Sequence, residues 1–172
     1  MVRSRAVAWG CRPDRIGVLG FSAGGHLAAS ASTRYSEHLH DPVDEIDAVD
    51  ARPDAAALCY PVIRLLAPDG HVGSGSNLLG PDAEESVREA HGADAHVTPD
   101  TPPTFLWHTA EDEGVPVENS LHHARALSAH GVSFALHVFP EGRHGIGLAE
   151  EEGGAARAWP DLLTTWLTDA GF

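Results

Sequence analysis

The sequence predicts an α/β fold in which helices cover both faces of a parallel sheet. Four short apolar runs alternate along the chain with segments of helical periodicity. The runs are apolar almost throughout, rather than at every second residue, which is typical of strands that are buried on both faces of a parallel sheet. A chain of 172 residues is long enough to bury a core of its own, and we assign residues 1–172 to a single domain.

The four predicted strands are short and are bounded by turn residues. The first contains the β-branched residues Ile16 and Val18 and ends in glycine, while Pro61 and Pro140 end two of the others. The predicted strands are Ile16–Gly20, Ala55–Tyr60, Thr104–Trp107 and Phe134–Phe139.

Three helices are predicted between and after these strands. The first is alanine-rich, the second repeats apolar residues at helical spacing after Pro116, and the third repeats them up to a capping Gly171. Two other segments do not fit this scheme. Glu37–Asp54 is acidic and irregular, and Ala67–Asp100 is a long excursion; both are either substrate loops or surface insertions without a role. The predicted helices are Ala23–Ser32, Val117–Leu127 and Trp159–Ala170.

Charge and composition exclude several classes of function. The formal net charge is −14, and such a surface repels phosphate backbones and anionic lipids, so we expect neither a nucleic-acid nor a membrane partner. All 11 basic residues are arginines, which excludes lysine Schiff-base chemistry and a P-loop lysine. The start of the chain has no signal-peptide pattern, and Cys11 and Cys59 fit a reducing compartment, so we expect a cytoplasmic location. Cys59 lies in an apolar run and is expected to be buried.

A serine stands between glycines where the first predicted strand meets the first predicted helix. The stretch "GFSAG" is a G-x-S-x-G pattern, the nucleophile elbow. In such a turn Gly20 and Gly24 leave room for a strained backbone, and Gly25 lets the helix approach the sheet. The hydroxyl of Ser22 would be exposed above a helix N-terminus, where the N–H of Ala23 points at a developing oxyanion.

A serine nucleophile needs a base and a carboxylate that orients the base. Loops after the third and fourth strands lie at the same sheet edge as Ser22, and they hold "HTAEDEGVPVENS" and "PEGRHGIGL". His144 is the candidate base. The residues leave the acid open among Glu111, Asp112 and Glu113.

Several motifs together resemble the α/β-hydrolase superfamily. They are "GFSAGGHLAAS", "LCYPVI", "TPDTPPTFLWHTAEDEGVPVENS" and "LHVFPEGRHGIGLA", and the branch they are most similar to is the acetyl-esterase and acetyl-xylan-esterase-like one, near feruloyl esterases and dienelactone-hydrolase relatives. The resemblance implies that Asp112, in a D-x-x-V-P pattern, is the acid and that His144, in a G-x-H-G pattern, is the base. His108, before the acid loop, is expected to be a structural neighbour of the triad.

The chain also departs from the family pattern. From about Arg15 onward it resembles the C-terminal half of the α/β-hydrolase fold, with no H-G-G-G-type motif to supply a second oxyanion donor. Loss of one such donor lowers the rate by about 10²–10³-fold, so we expect a truncated product of poor activity. The first strand would then be a bare edge, which is prone to aggregation or open to an oligomeric contact.

The sequence therefore predicts a serine carboxylester hydrolase that acts on small-molecule esters, with acetylated sugars implied by the resemblance. No cofactor or metal is expected. The alternatives are a related acyl hydrolase, such as an arylformamidase or a serine peptidase-like enzyme, and an inactive fragment. A metal reading of "EHLHD" (Glu37–Asp41) and of the pair His122 and His123 lacks further ligands at a convincing spacing.

Overall fold

The computed structural model describes residues 1–37, 41–151 and 154–172. Strands in this part of the chain form a sheet of four, in the order β1-β2-β3-β4, and each neighbouring pair is parallel. The predicted parallel sheet is confirmed. β1 lies one residue later than predicted, and β3 continues two residues further. The strands are β1 (Gly17–Phe21), β2 (Ala55–Cys59), β3 (Thr104–Thr109) and β4 (Phe134–Phe139).

Helices connect and follow the strands, and the three predicted ones are present with ends within about two residues of the prediction. Short 3₁₀ turns supplement them at Val7–Trp9, Glu45–Ala48, Ala93–His96 and Gly154–Ala158. The helices of the described residues are α1 (Val2–Arg5), α2 (Ala23–Thr33), α3 (Val72–Leu79), α4 (Glu85–Ala90), α5 (Glu118–Ala129) and α6 (Trp159–Asp169).

One face of the sheet is covered by α2 and α5. The parallel register aligns alternate residues of the four strands, so their side chains point to the same face. Small alanines let α2 lie close to the sheet, and a leucine anchors α5. This half of the core contains Val18, Ala28, Ala29, Ala56, Leu58, Leu106, Leu127 and Leu136.

The opposite face is covered by α6, so the prediction of helices on both faces is confirmed. Trp107 stacks on Trp159, the first residue of α6, with ring centroids 5.2 Å apart. Cys59 and Trp107 are fully buried, as predicted for Cys59. This half of the core contains Ala57, Cys59, Phe105, Trp107, Trp159 and Leu163.

The long excursion Ala67–Asp100, for which no helix is predicted, carries α3, α4 and a 3₁₀ turn. The sequence of α3, "VGSGSNLL", has two glycines and a poor intrinsic helix propensity. Tertiary contacts compensate. The His71 side chain accepts a hydrogen bond from the Ser74 N–H, and the buried Arg88 donates to Ser76 Oγ and to the Gly80 carbonyl.

The acidic segment before β2 is described at residue 37 and from residue 41 onward. Its 3₁₀ turn is capped by its own carboxylates, since Asp44 accepts from the Ile46 N–H and Asp47 from the Asp44 N–H. Two of the acidic residues of this segment therefore serve as helix caps.

Strand β1 pairs only with β2 among the described strands and so lies at an edge of the sheet. Leu19, in the middle of β1, is 47% exposed. This position agrees with the expected apolar edge, and an oligomeric contact there stays a prediction. Across the described ranges, no helix has the length and apolar content needed to cross a membrane.

Candidate active site

Ser22 occupies the turn between β1 and α2 in a backbone conformation that is rare for a residue with a side chain. Its φ is 53° and its ψ is −121°. Such a conformation costs about 1–3 kcal/mol and persists only where neighbouring contacts hold it. The Ser22 N–H donates to the Cys59 carbonyl at 3.0 Å, and the Ser22 carbonyl accepts from the Val62 N–H at 3.0 Å. The loop after β2 therefore holds the turn in place.

The glycines around Ser22 have different roles. A Cβ on Gly20 would lie 2.0 Å from the Gly24 carbonyl oxygen, and one on Gly25 would lie 2.7 Å from Pro61 Cβ. Both positions need glycine for close packing, as predicted. The prediction that Gly24 also leaves room is wrong, because a Cβ there would meet no atom within 4 Å. At this turn the Gly24 carbonyl occupies the space that Gly20 leaves open.

The structure brings Ser22, His144 and Asp112 together at the carboxyl end of the sheet. Ser22 Oγ lies 2.7 Å from His144 Nε2, and His144 Nδ1 lies 2.7 Å from Asp112 Oδ2. The three residues follow β1, β4 and β3, respectively. Because the carboxyl ends of parallel strands share one edge, residues far apart in sequence meet there.

Asp112 is held by the loop that carries it. Its Oδ1 accepts hydrogen bonds from the backbone N–H groups of Gly114 (2.9 Å) and Val115 (2.8 Å). Burial alone would raise the pKa of Asp112. Hydrogen bonds from His108, from the Val115 N–H and from His144 outweigh that effect and lower the pKa to about 2. The carboxyl group is therefore ionised at neutral pH.

Of the three acids that the loop offers, Asp112 is the one that contacts His144. Asp112 is buried, whereas Glu111 and Glu113 on either side of it are exposed. Both glutamates line the cavity beside His144. The alternation follows from the backbone turn, in which the Asp112 carboxylate folds back onto the N–H groups two and three residues ahead.

His108 lies behind the acid and is fully buried, which confirms the expectation that it neighbours the triad. Its Nε2 is 2.9 Å from the Val115 carbonyl and 3.3 Å from Asp112 Oδ2. Its Nδ1 is 2.8 Å from Ser120 Oγ on α5. The carboxylate of Asp112 thus contacts two imidazoles.

The loop that carries His144 is fixed at both ends. Before the histidine, Thr109 Oγ1 donates to the Gly142 carbonyl at 2.7 Å. After it, the Gly147 N–H donates to Tyr60 Oη at 3.1 Å, and Trp159 Nε1 donates to the Gly147 carbonyl at 3.0 Å. These contacts restrain the histidine over a short stretch of chain.

Tyr60 also packs against the histidine itself. Its ring stands edge-to-face to the His144 imidazole, with centroids 5.1 Å apart. Burial raises the pKa of the Tyr60 hydroxyl, so the ring stays neutral. Sequence reasoning did not assign a role to Tyr60. The signal was its position, since it follows β2 directly at the same sheet edge as the triad.

A surface cavity of about 720 Å³ opens beside the triad. His144 and Asp112 line it together with short residues of the two loops and with the charged side chains of Glu111, Glu113 and Arg143. A second cavity, of about 310 Å³, lies between the loop after β2 and α4. None of Ser22, Asp112 and His144 lines the second cavity. Asp112 and His144 line the first cavity and Ser22 does not, so the candidate site adjoins the first cavity on the side of Asp112 and His144.

Ala23 is the first residue of α2 and directly follows Ser22. The N–H groups of the first helical turn have no acceptor within the helix, and the helix dipole favours negative charge there. The Ala23 N–H is thus suited to donate to an oxyanion formed at Ser22. The absence of a second donor stays a prediction.

The two described histidines of the metal interpretation, His122 and His123, have separate environments. Residues 38–40, which include both histidines of "EHLHD", lie outside the described part of the chain. His122 pairs with Asp69 at 2.9 Å, and His123 is buried in α5, where burial lowers its pKa to about 4. Within residues 1–37, 41–151 and 154–172, no group of three or more potential ligands is placed to hold a metal ion.

Comparison with curated proteins identifies enzymes of similar sequence. The chain is 34% identical over 151 residues to an endo-1,4-beta-xylanase B from Butyrivibrio fibrisolvens, covering 88% of this chain and 24% of that protein. It is 30% identical over 154 residues to an acetylxylan esterase from Xylanibacter ruminicola, covering 86% of this chain and 29% of that protein. The chain therefore spans only a quarter to three tenths of these relatives.

Solved structures agree with the fold. An acetyl ester-xyloside bifunctional hydrolase from Caldicellulosiruptor lactoaceticus superposes with a TM-score of 0.92 at 46% identity, covering 99% of this chain and 62% of that one. A carboxylesterase from Lactobacillus plantarum gives a TM-score of 0.77 at 29% identity, covering 99% and 64%. An alpha/beta hydrolase from a deep-sea metagenome gives 0.66 at 28% identity, covering 98% and 60%.

These likenesses confirm the predicted resemblance to acetyl esterases of the α/β-hydrolase fold. The strand order, the elbow between β1 and α2 and the helices on both faces belong to that fold. The family model described as BD-FAE matches residues 1–127, well over half of the chain. The chain therefore belongs to the BD-FAE family.

Proposed function

We propose that this chain is a serine carboxylester hydrolase that cleaves small acyl esters, with acetyl groups on carbohydrates as its substrate class. The observation that carries the proposal is the continuous hydrogen-bonded path from Ser22 through His144 to Asp112, with both distances at 2.7 Å. The names of two relatives, an acetylxylan esterase and an acetyl ester-xyloside hydrolase, support the acetyl group.

The first half of the reaction transfers the acyl group to the enzyme. Ser22 Oγ attacks the ester carbonyl carbon while its proton passes to His144 Nε2. The Ala23 N–H donates to the oxyanion of the tetrahedral intermediate. The carbon–oxygen bond to the alcohol then breaks, and the proton on His144 passes to the leaving alcohol.

The second half returns the enzyme to its starting state. His144 takes a proton from a water molecule, whose oxygen attacks the acyl carbon. The bond to Ser22 Oγ then breaks, the serine regains its proton from His144, and the carboxylic acid leaves. Throughout, ionised Asp112 holds the proton on His144 Nδ1 and stabilises the imidazolium that forms in each half.

The cavity supports a hydrophilic alcohol as the leaving group. Glu111, Glu113 and Arg143 form its charged lining, and the remaining lining residues outside the triad are alanine and glycine. Such a lining offers charged and hydrogen-bonding groups to the polyol part of a sugar ester.

Hydrolysis of p-nitrophenyl acetate by the purified chain tests the proposal. We expect Ser22→Ala to lower the rate of hydrolysis by about 10³-fold or more, as for other triad serines. The matched control is Ser128→Ala, which removes an exposed hydroxyl from α5 and should leave the rate unchanged. Equal rates for Ser22→Ala and the unmodified chain would overturn the proposal.

A substrate comparison separates the related acyl hydrolases. We expect acetylated xylo-oligosaccharides to be cleaved faster than a formanilide or a peptide amide, since the first contains an ester of a polyol. Faster cleavage of the formanilide would favour an arylformamidase. The absolute rate tests the sequence-based prediction of a missing oxyanion donor, which lowers it by about 10²–10³-fold.

A further inference from the structure

A second, fully buried imidazole lies against the carboxylate of the triad. His108 belongs to β3, and both of its ring nitrogens face protein groups rather than solvent. Nε2 faces the Val115 carbonyl at 2.9 Å and Asp112 Oδ2 at 3.3 Å. Nδ1 faces Ser120 Oγ at 2.8 Å. The ring is therefore held through both of its nitrogens.

These partners fix where the proton of His108 lies. A backbone carbonyl and an ionised carboxylate can only accept hydrogen bonds, so Nε2 must carry a proton and share it between the two oxygens. In the neutral ring Nδ1 is then an acceptor, and the Ser120 hydroxyl donates to it. Ser120 thus sets the orientation in which His108 presents its N–H to Asp112.

The two oxygens of Asp112 have separate sets of donors. Oδ1 is held by the N–H groups of Gly114 and Val115, which belong to the same loop. Oδ2 is shared between His144 Nδ1 at 2.7 Å and His108 Nε2 at 3.3 Å. Without the His108 contact, the carboxylate would still be held at Oδ1. His144 would then be the one imidazole in contact with Oδ2.

We propose that His108 is a positioning residue, which contacts the same carboxylate oxygen as His144 and thereby takes up part of the negative charge that Asp112 presents to the His144 imidazole. The inference rests on the proposed function for the role of His144 as the base.

Other groups also face the Asp112–His144 pair. They are Ser22 at the elbow, the neutral ring of Tyr60 after β2, Arg143 in the histidine loop, and the exposed Glu111 and Glu113 beside the acid. All of these groups are retained in the variants below, so a difference between variants reports on residue 108.

Two amide variants separate the two sides of the ring. The amide nitrogen of His108→Gln lies near the place of Nε2 and preserves a donor to Asp112, while it loses the contact with Ser120. The amide of His108→Asn lies near the place of Nδ1, so it keeps the Ser120 side and loses the donor to Asp112. Both variants remove the ring, and asparagine is one methylene smaller than glutamine.

The measurement is the NMR titration of the His144 ring in the full chain, with the resonance assigned by its loss in His144→Gln. We expect the His144 midpoint to rise by about 0.5–1 pH unit in His108→Asn, a 3–10-fold gain in proton affinity, because a donor to the charged acid is lost. In His108→Gln it should stay within about 0.3 of the wild-type value. An unmoved midpoint in folded His108→Asn, or equal shifts in both variants, would overturn the proposal.

A measurement on the unaltered chain keeps the proposal testable if neither variant folds. The ¹⁵N shifts of the His108 ring should show the proton on Nε2, and an unprotonated Nε2 at neutral pH would contradict it. The titration needs no turnover, so it separates this inference from the proposed function. If hydrolysis depends on Ser22 but the His144 midpoint does not move in His108→Asn, only the proposed role of His108 is contradicted. If hydrolysis is serine-independent and the midpoint still moves, the proposed function alone fails.

Discussion

Ser22 combines a half-buried hydroxyl, 2.7 Å from His144 Nε2, with a backbone that glycine would adopt more easily. The main chain around it is secured by the Cys59 carbonyl and the Val62 N–H, both from the end of β2 and the loop that follows. Strain of this kind at a site with a hydrogen-bonded base is a known feature of preorganised active sites. Because the strained backbone is that of Ser22 alone, substitutions at this one residue can test the strain.

Replacing Ser22 by glycine should relieve that strain. Ser22→Gly and Ser22→Ala both lose the hydrogen bond to His144, so the two variants differ in the Cβ methyl group and in the backbone freedom that its removal gives. With φ at 53°, we expect Ser22→Gly to be more stable than Ser22→Ala by about 1 kcal/mol, or about 2–4 °C in melting temperature. Calorimetry of the two purified variants checks this, and a lower melting temperature for Ser22→Gly would show that no strain is stored.

The ionisation of Asp112 should also appear in the stability of the fold. Its pKa is about 2 in the folded chain against an ordinary value of 3.8, so the ionised carboxylate stabilises the folded state above about pH 4. That contribution is lost as the pH falls through the folded value. Between about pH 4 and about pH 2, we expect the free energy of unfolding to fall by about 2 kcal/mol more than in Asp112→Asn.

Urea unfolding at a series of pH values measures this difference. The comparison with Asp112→Asn removes the contribution of the other carboxyl groups, which titrate in both proteins. Parallel pH profiles for the two proteins would mean that Asp112 has an ordinary pKa in the folded chain.

At the scale of elements, the meeting of β1 and α2 depends on backbone contact rather than on side chains. Gly20 and Gly25 allow that contact, whereas Gly24 only contributes its carbonyl to it. The G-x-S-x-G pattern thus contains one glycine whose Cα hydrogen faces open space. Pattern matching treats the two flanking glycines as equivalent, and the packing around them is different.

Alanine substitutions should expose that difference. In Gly20→Ala the new Cβ would meet the Gly24 carbonyl oxygen at 2.0 Å, and we expect a loss of about 2–3 kcal/mol of stability. Gly24→Ala meets nothing within 4 Å and should gain up to about 1 kcal/mol, because alanine is the better helix former. Thermal unfolding of the two variants measures the difference in stability. Equal losses of stability would mean that the two glycines have the same role in packing.

The sequence predicted the elements that carry their own signals and missed those that depend on partners. The four strands are apolar runs between breakers, and the triad follows three of them. Helix α3 was missed because its glycines oppose a helix and the compensating Arg88 lies beyond its end. No role is predicted for Tyr60 from the sequence, because its contacts with His144 and Gly147 join residues more than 80 positions apart. A local sequence pattern does not indicate such a contact.

On the scale of the whole molecule, the dominant feature is charge. The formal net charge is −14 over 172 residues, and a surface so far from neutrality repels itself in the compact state. Ion pairs such as Arg3–Asp54 and Arg64–Asp94 offset the repulsion locally. The rest of the electrostatic repulsion acts across the whole molecule, and dissolved salt screens it.

Salt should therefore stabilise the protein at neutral pH. Between about 0.01 M and about 0.15 M sodium chloride the screening length falls from about 30 Å to about 8 Å, and we expect about 1 kcal/mol of added stability. The control is the same series near pH 5.1, where the net charge is close to zero. A gain of equal size at both pH values would point to a general salt effect instead.

The parallel arrangement of the sheet has a consequence for folding. Ser22 and His144 are 122 residues apart in sequence, and they follow β1 and β4, which are the two outermost strands of the described sheet. Pairings of such long sequence separation form slowly. The contact between the two side chains can close only after β2 and β3 have joined their neighbours in register. During refolding, burial of Trp107 should return first, and the serine–histidine pair marks the last stage of assembly.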